Sequence, residues 1–206
     1  MLITFEGIEG SGKTTQIELL CNHLKDMGRQ VVQTREPGGT VFGEALRDVL
    51  LKKGMEVFPL SELLVFMAMR AQHVEEVILP AMHDGKVVVC DRFVDATYAY
   101  QGYGRGIELG IIETLNRLVT KGIRPNLTVL MDLPVQTGLM RKAAASPMDR
   151  IEEEGSDFHE KIKKAYKKLA KDDPVRFFVV DGSLKTDVIH RMIREKVTNT
   201  LNTYGI

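Results

Sequence analysis

The chain has 206 residues, and its 28 lysines and arginines balance its 28 aspartates and glutamates. This length predicts one domain over residues 1–206, and the neutral balance gives no reason to expect nucleic acid or an anionic membrane as a partner. Because there is no basic leader and no apolar stretch approaches the roughly 20 residues of a membrane span, we expect a cytoplasmic protein.

The first predicted elements are a strand, a glycine-rich loop and a helix. The apolar run Leu2–Phe5 precedes Gly7-Ile8-Glu9-Gly10-Ser11-Gly12-Lys13-Thr14, and a helix with Met27 as its last apolar position follows. The spacing G-x-x-x-x-G-K-T in this context is that of a phosphate-binding P-loop. Its glycines let backbone N–H groups point at an anion, Lys13 adds a charge for the outer phosphates, and Thr14 offers a hydroxyl to Mg²⁺. The residues assigned to the phosphate-binding site are Gly7, Glu9, Gly10, Ser11, Gly12, Lys13, Thr14, Thr15 and, near the end of the chain, Asp181.

Four further apolar runs predict strands that alternate with helices. The strands are predicted at Val31–Thr34, Val87–Cys90, Leu127–Asp132 and Phe177–Asp181. Helices are predicted over about 60–82 with Leu64 in its core, over about 95–100, around 111–119, from about 134, over 158–169 with Tyr166 on its apolar face, and over 188–197. This alternation predicts an α/β fold with a five-stranded parallel sheet covered by helices on both faces.

Polar residues follow several of the predicted strands. Ligands of such sheets bind beyond the carboxyl ends of the strands, so we expect the P-loop, Arg35-Glu36-Pro37, Asp91-Arg92 and Asp181-Gly182 to lie along one rim. A carboxylate such as Asp91 commonly lies near Mg²⁺ in P-loop proteins, although a turn-forming aspartate is the alternative. Arg92 presents a planar fork of donors, which suits the phosphate of an acceptor.

Three motifs together are similar to those of the bacterial thymidylate kinases. They are the loop from Glu6 to Thr15, the stretch from Thr34 to Thr40 and the stretch from Asp91 to Gly102, and the resemblance extends over essentially the whole chain. It implies the P-loop nucleoside monophosphate kinase fold and transfer of the ATP γ-phosphoryl group to dTMP, giving dTDP and ADP with Mg²⁺. It also implies a homodimer.

The resemblance assigns roles around the acceptor phosphate and the sugar. Glu9 would approach the deoxyribose and the acceptor phosphate rather than ATP, and Glu36 and Arg47 would help to frame the nucleoside monophosphate. Lys13, Glu9 and Arg92 would therefore act in the transfer itself.

A second set of residues would bind the thymine base. The resemblance implies that Phe66 stacks on the base and that Arg70, one helical turn later, reaches a thymine carbonyl. From residue type alone, Phe66 is more simply a core residue. Thr97 and Gln101 would donate or accept hydrogen bonds at the pyrimidine edge. The chain departs from the family pattern at Phe93, where members usually have tyrosine, and at Ala96-Thr97, where they commonly have two serines, so Thr97 is the remaining hydroxyl at that position.

Residues 141–155 resemble the mobile lid of the family. The P-loop has Ser11 and no arginine, so the resemblance implies that the lid supplies the positive charge that stabilises the transferring phosphoryl group. Arg141 and Arg150 are the candidates for this catalytic role. A solvated charged loop is the alternative interpretation.

Two features receive no function. The lysines around positions 161–168 are interpreted as a solvated helix face. The five histidines lack metal-ligand spacing and are assigned no role, although His73 lies close to Arg70 along the same helix.

Two alternatives to dTMP phosphorylation remain open. The same chemistry on another acceptor, such as dUMP, differs by one methyl group, which is worth only about 1–3 kcal/mol in a pocket. A nucleotide-dependent switch is a more distant alternative. It would be expected to carry a guanine-reading N-K-x-D motif, which the chain lacks.

Overall fold

Five parallel strands form one sheet in the computed structural model, which describes residues 1–205. Residue 206, the last of the predicted domain, lies outside the described residues. The strands are β1 (Leu2–Glu6), β2 (Val31–Arg35), β3 (Val87–Asp91), β4 (Leu127–Asp132) and β5 (Phe177–Asp181). Their order in the sheet is β2-β3-β1-β4-β5, and every neighbouring pair is parallel. The predicted five-stranded parallel sheet is confirmed.

Helices connect the strands. The α-helices are α1 (Lys13–Asp26), α2 (Val41–Leu50), α3 (Pro59–His73), α4 (Leu79–His83), α5 (Val94–Thr97), α6 (Leu109–Val119), α7 (Val135–Ala145), α8 (Ser156–Asp172) and α9 (Thr186–Tyr204). A π-helical segment, Val74–Ile78, joins α3 to α4, and a second, Tyr98–Gly104, continues α5. No described helix is both long and apolar enough to cross a membrane.

The sheet is covered on both faces. On one face, α1 and α9 bury an apolar cluster against β1 and β4, with Leu20 and Ile193 at its centre. On the other face, α8 and the second π-helical segment bury Ile162 and Tyr166 over Leu130 of β4. Because the first four residues of β3 are buried on both sides, their sequence is a continuous apolar run rather than an alternating one. β1 is also buried throughout, although it includes Thr4 and Glu6.

Leu64 is the clearest error among the predicted core positions. Half of its surface is exposed, and Met27, directly after α1, is 41% exposed. Helical spacing identifies an apolar stripe but not what covers it. Leu64 belongs to a set of large apolar side chains that three neighbouring helices expose, and we call this set the apolar face. Its members are Val41, Phe42 and Val49 of α2, Leu60 and Leu64 of α3, and Ile111 and Leu118 of α6.

Candidate functional site

A cavity of about 1410 Å³ opens at the carboxyl ends of β1, β2 and β3. Single small-molecule sites usually occupy roughly 300–1,000 Å³, so the cavity has room for more than one ligand. The predicted site residues that line it are Glu9, Gly10, Lys13, Thr14, Glu36, Arg47, Phe66, Arg70, Asp91, Arg92, Thr97 and Gln101. The predicted residues that lie outside its lining are Gly7, Ser11, Gly12, Thr15, Arg141, Arg150 and Asp181.

The P-loop has the conformation that its glycines were expected to provide. Gly7 and Gly10 have φ values of 135° and 68°, and a Cβ at these positions would come within 2.5 Å of the Met131 carbonyl oxygen and 2.1 Å of the Gly138 carbonyl oxygen, respectively. Only glycine fits such positions. Helix α1 begins at Lys13, so its positive end faces the cavity.

Lys13 is buried inside the loop. Its Nζ donates to the carbonyl oxygens of Gly7 and Ile8 at 3.0 and 2.9 Å. Burial, together with the nearby charge of Arg92, lowers the pKa of Lys13 to about 8. An anion placed at this end of the cavity would favour the charged form of Lys13.

Arg92 is held between Glu9 and two tyrosines. Its Nη2 donates to Glu9 Oε1 at 2.8 Å, its Nη1 donates to the Tyr166 hydroxyl at 3.0 Å, and its guanidinium lies 4.9 Å from the centre of the Tyr100 ring. Tyr100 also donates to Glu9 Oε1, at 2.5 Å. Arg92 has a φ of 66°, a conformation that non-glycine residues rarely adopt outside functional sites. Burial alone would raise the pKa of Glu9, but Arg92 and Lys13 hold that pKa below its usual value.

Glu6, at the end of β1, contacts two of the residues around Arg92. Its Oε1 accepts from the Phe93 backbone N–H at 2.8 Å, and its Oε2 accepts from the Tyr166 hydroxyl at 2.6 Å. Complete burial, reinforced by the negative charge of Asp95, raises the pKa of Glu6 to about 8. Tyr166 thus links Glu6 to Arg92.

Arg70 is saturated with protein partners. Its Nε and Nη2 contact Glu36 Oε2 at 2.7 and 2.6 Å, and Nη2 also donates to the Phe93 carbonyl oxygen at 2.9 Å. Its Nη1 donates to Thr97 Oγ1 at 2.8 Å and to Asn116 Oδ1 at 2.6 Å. These five contacts match the five donors of a guanidinium. Arg70 therefore lines the cavity with its N–H groups engaged by the protein.

His73 completes the second side of Glu36. Its Nδ1 lies 3.0 Å from Glu36 Oε1, and its Nε2 lies 2.6 Å from Thr34 Oγ1. Burial raises the pKa of Glu36, but Arg70 and His73 outweigh it and keep that pKa below its ordinary value. Glu36 is thus a buried, ionised carboxylate at the rim, held by a cation on one side and an imidazole on the other.

The remaining predicted acceptor residues lie along the same wall. Phe66 is half-buried and packs against the apolar clusters beside the cavity. Gln101 donates from Nε2 to Glu62 Oε1 at 2.9 Å, and Arg47 donates to the Pro37 carbonyl oxygen at 2.7 Å. Together with Thr97 they surround a half-apolar recess next to Arg92.

Asp91 carries an unusual carboxylate oxygen. Its Oδ1 is buried and has no hydrogen-bond partner within residues 1–205, while the exposed Thr14 lines the same cavity. A buried carboxylate oxygen without a donor is suited to a cation. Among the same residues, no group of three or more histidine, cysteine, aspartate or glutamate side chains forms a metal cage. Mg²⁺ needs no such cage, because it usually takes one or two carboxylates plus substrate phosphates and water.

The two lid arginines lie outside the cavity. Arg150 donates from Nε to the Leu50 carbonyl oxygen at 2.8 Å and from Nη2 to Glu62 Oε2 at 2.7 Å. Arg141 is exposed, and its Nη1 donates to the Gly182 carbonyl oxygen at 3.3 Å. The lid cation that does line the cavity is Lys142, whose Nζ lies 3.1 Å from Glu152 Oε1.

Asp181, predicted to bind the nucleotide, lies at the exposed end of β5. Its Oδ1 accepts from the backbone N–H of Ser183 at 2.9 Å and from the Ser183 hydroxyl at 2.6 Å. The adjacent Gly182 is buried, and a Cβ there would lie 3.3 Å from the Ser11 carbonyl oxygen. This segment therefore packs against the P-loop.

Several residues at the site had no predicted role. Tyr166 has helical core spacing, which conceals that its hydroxyl reaches Arg92. Glu62 is buried and accepts from Gln101, Arg105 and Arg150. His159 of α8 lies against Glu9. A buried charge inside an apolar pattern is the signal that would have identified Glu62, as it did Arg70.

Comparisons with known proteins agree with this geometry. A family model described as thymidylate kinase matches residues 5–193. The chain is 48% identical to the thymidylate kinase of Geotalea daltonii, with 97% of each chain covered, and 43% identical to that of Kosmotoga olearia, with 100% and 99% covered. The crystal structure of thymidylate kinase from Ehrlichia chaffeensis superposes with a TM-score of 0.80 at 36% identity, covering 96% of this chain and 98% of that one.

Proposed function

The chain belongs to the thymidylate kinase family, and we propose how its own residues carry out the reaction of that family. It has the P-loop nucleoside monophosphate kinase fold, and it transfers the γ-phosphoryl group of ATP to dTMP, giving dTDP and ADP. One observation carries our assignment of roles. The same cavity is lined by Lys13 and Thr14, which belong to the P-loop and the start of α1, and by Arg92 and Phe66.

At the donor end, the P-loop holds the phosphates of ATP. Backbone N–H groups of the loop and the positive end of α1 bind the phosphate oxygens. The Nζ of Lys13 leaves the carbonyl oxygens of Gly7 and Ile8 and binds the outer phosphates instead. The hydroxyls of Thr14 and Thr15 are exposed at the start of α1. Asp181 supports this end through the packing of Gly182 against the P-loop.

At the acceptor end, Arg92 holds the phosphate of dTMP. Two of its donors are used by Glu9 and Tyr166, which leaves three N–H groups of the fork for phosphate oxygens. Glu9 sits between this phosphate and the deoxyribose. Arg47 and Glu36 frame the same region of the cavity.

The base lies in the recess beyond the phosphate. Phe66 provides a flat apolar surface for the thymine ring, and Thr97 and Gln101 present polar groups at its edge. Arg70 reaches a thymine carbonyl only by sharing an N–H group or by rearranging one of its five contacts. Its main contribution is therefore to fix Glu36 and Thr97.

Mg²⁺ would be held by Asp91 and Thr14 together with phosphate oxygens. The unpartnered Oδ1 of Asp91 and the exposed hydroxyl of Thr14 fit the oxygen ligands that this ion prefers. When bound, the ion neutralises charge on the phosphates.

The lid provides the positive charge that the P-loop lacks. Ser11 occupies the loop position where a basic residue would otherwise act, and Arg141 and Arg150 remain our candidates for stabilising the transferring phosphoryl group. Arg141 is exposed and makes one long hydrogen bond, so it can move at little cost. Arg150 would first have to leave Glu62.

The active protein is a homodimer in this proposal. The apolar face of α2, α3 and α6 carries seven large exposed apolar side chains on neighbouring helices, which is a common signature of a protein contact. A single domain, a cytoplasmic location and the lack of a nucleic-acid partner remain predictions from the sequence.

A coupled assay of ADP release with ATP and Mg²⁺ tests the function. dTMP should support the fastest turnover in a panel that also contains dUMP, AMP, GMP and a sample without acceptor. A preference for dTMP over dUMP of roughly 10- to 200-fold is expected for one buried methyl group. Equal ADP release without acceptor, or fastest turnover with AMP or GMP, would contradict the assignment.

A further inference from the structure

His159 is a fully buried imidazole that the proposed roles leave unused. It lies on α8, four residues after the lid segment, and its Nε2 is 3.3 Å from the backbone carbonyl oxygen of Glu152 in the lid. Its Nδ1 is 3.6 Å from Oε2 of Glu9. Neither Nδ1 of His159 nor Oε2 of Glu9 has a hydrogen-bond partner in the described part of the chain. Two buried polar atoms without partners therefore face each other beside the acceptor site.

The contact with Glu152 fixes the tautomer of the ring. A carbonyl oxygen only accepts hydrogen bonds, so Nε2 of His159 must carry a proton there. In the neutral imidazole, Nδ1 then presents a lone pair towards the Glu9 carboxylate. Only the imidazolium form can donate from both nitrogens and satisfy both neighbours.

The charges around His159 nearly balance without ligand. From the P-loop it faces Glu9, whose charge is offset by Lys13 and Arg92. From the lid, the Glu152 carboxylate is paired with Lys142.

On the side of the second π-helical segment, the groups near His159 are also internally matched. Arg105, just after that segment, lies 4.6 Å from the Phe158 ring beside His159 and pairs with Glu62 and Glu154. Tyr100 is committed to Glu9. Ligand-free protein therefore has no strong excess of negative charge at the imidazole.

Binding of dTMP changes that balance, if the acceptor phosphate lies on Arg92 as the proposed function requires. The phosphate brings up to two negative charges and draws on the guanidinium that now neutralises Glu9. The Glu9 carboxylate then has one oxygen without a hydrogen-bond donor and less positive charge beside it. Nδ1 of His159, 3.6 Å from that oxygen, can supply both the donor and the charge.

We propose that His159 is a positioning residue that takes up a proton from solvent when dTMP binds and then donates an Nδ1–H hydrogen bond to Glu9. The proton is gained from water or buffer and is returned when the nucleotide leaves. In the charged form, His159 joins the lid backbone at Glu152 to the carboxylate that faces the deoxyribose. It thereby orders Glu9 and the base of the lid in the same step.

Calorimetric titration of dTMP in buffers of different ionisation enthalpy tests the proposal. The slope of the observed enthalpy against buffer ionisation enthalpy gives the number of protons taken up at a given pH. The variant is His159→Gln, whose amide N–H can still reach Glu152 but cannot titrate. The control is His83→Gln, an exposed histidine at the end of α4. Because the phosphate of dTMP also titrates, the informative quantity is the difference between proteins.

On binding dTMP, His159→Gln should take up fewer protons than wild type, and the difference should be a large fraction of one proton per site. His83→Gln should match wild type. The dissociation constant for dTMP should rise about tenfold in His159→Gln, as for the loss of a hydrogen bond to a charged group. Equal proton uptake in wild type and His159→Gln overturns the inference. Failure of wild type to bind dTMP would instead contradict the proposed function.

A second measurement needs no variant. In protein with ¹⁵N-labelled histidine, the ring nitrogen shifts of the five imidazoles report their protonation states directly. One imidazole should change from the neutral to the charged pattern on addition of dTMP at pH 7.5. If no imidazole changes while dTMP saturates the protein, His159 does not take up the proton.

Discussion

Arg70 and Glu36 form a buried ion pair beneath the acceptor site. The Nε of Arg70 donates to Glu36 Oε2 at 2.7 Å, and the two side chains are only 2% and 6% exposed. Removal of one partner from such a pair is strongly destabilising, because the remaining charge stays buried without a partner. If Glu36 frames the acceptor as we propose, this pair connects acceptor binding with the stability of the fold.

Arg70→Ala should lower the free energy of unfolding by about 3–5 kcal/mol, the usual cost of removing one partner of a buried pair. Arg35→Ala is the matched control, because Arg35 forms an ion pair of similar length, 2.8 Å, with Glu44 at the surface. The side chain of Arg35 is 56% exposed and that of Glu44 is 40% exposed. That variant should lose less than about 1 kcal/mol. Urea unfolding of the three proteins makes the comparison. Similar losses in both variants would show that Arg70 is not held as tightly as its contacts indicate.

Arg92→Ala should impair phosphoryl transfer far more than ATP binding. Both side chains line the cavity, and in our proposal Arg92 binds the acceptor phosphate whereas Lys13 binds the phosphates of ATP. Removal of one preorganised donor to a reacting phosphoryl or acyl group typically lowers kcat by about 10²–10³-fold. We expect a loss of at least that size in steady-state turnover and an unchanged Kd for ATP by calorimetry. Arg191→Ala, an exposed arginine on α9, is the control, and a normal kcat/KM for dTMP in Arg92→Ala would remove Arg92 from the site.

Substitutions of the two lid arginines should differ in their effects on kcat and on the free energy of unfolding. Arg141→Ala should lower kcat by about tenfold or more with no change in unfolding, because Arg141 is exposed and has one weak contact. Arg150→Ala should also lower the free energy of unfolding, by about 1–3 kcal/mol, because it leaves part of the buried Glu62 unpartnered.

Lys142→Ala is the comparison that decides where the lid charge resides. If neither arginine variant loses turnover and Lys142→Ala does, the lysine that lines the cavity supplies the charge instead. Denaturant unfolding alongside turnover keeps structural and catalytic losses apart.

Much of the fold was accessible from the sequence because its signals are local. Short, mainly apolar runs predicted all five strands, and the rule for parallel sheets predicted that Glu36, Arg92 and the P-loop meet at one rim. The exposure of Leu64 could not be predicted from the sequence. Leu64 continues an apolar pattern, and nothing local distinguishes a side chain that covers the core from one that stays exposed.

The partners of the site residues were equally hidden. Arg70 was expected to contact a base, but Asn116 on α6 and the Phe93 carbonyl, both distant in sequence, take up its donors. Arg150 reaches Glu62 across 88 residues. Such pairings depend on how helices pack, so residue type and spacing identify the charged residue but not its hydrogen bonds.

Glu6 should make stability fall as the pH rises through neutrality. Burial, and then the charge of Asp95, raise its pKa from 4.5 to about 8, so the folded state binds a proton that the unfolded state has already released. Its contribution is fully present below about pH 4.5 and is lost between that pH and about 8. Within that window the slope approaches about 1.4 kcal/mol per pH unit.

Urea unfolding from pH 5 to 7.5 measures this slope. Glu6→Gln should flatten it, since the amide can still accept from Phe93 N–H and contact Tyr166. Glu18→Gln, an exposed residue on α1, should keep the wild-type slope. Parallel curves for wild type and Glu6→Gln would show that Glu6 is already ionised at pH 5.

Leu64→Glu should convert a dimer to monomers. Leu64 is half exposed and belongs to the apolar face, and a charge there would be buried without a partner if α2, α3 and α6 meet a second copy. Sedimentation velocity should show a two-chain particle for wild type and a one-chain particle for the variant. Val175→Glu, at an exposed apolar residue outside this face, should sediment like wild type. If wild type and Leu64→Glu sediment alike, the proposed dimer does not use this face, because a contact centred on Leu64 would not tolerate the carboxylate.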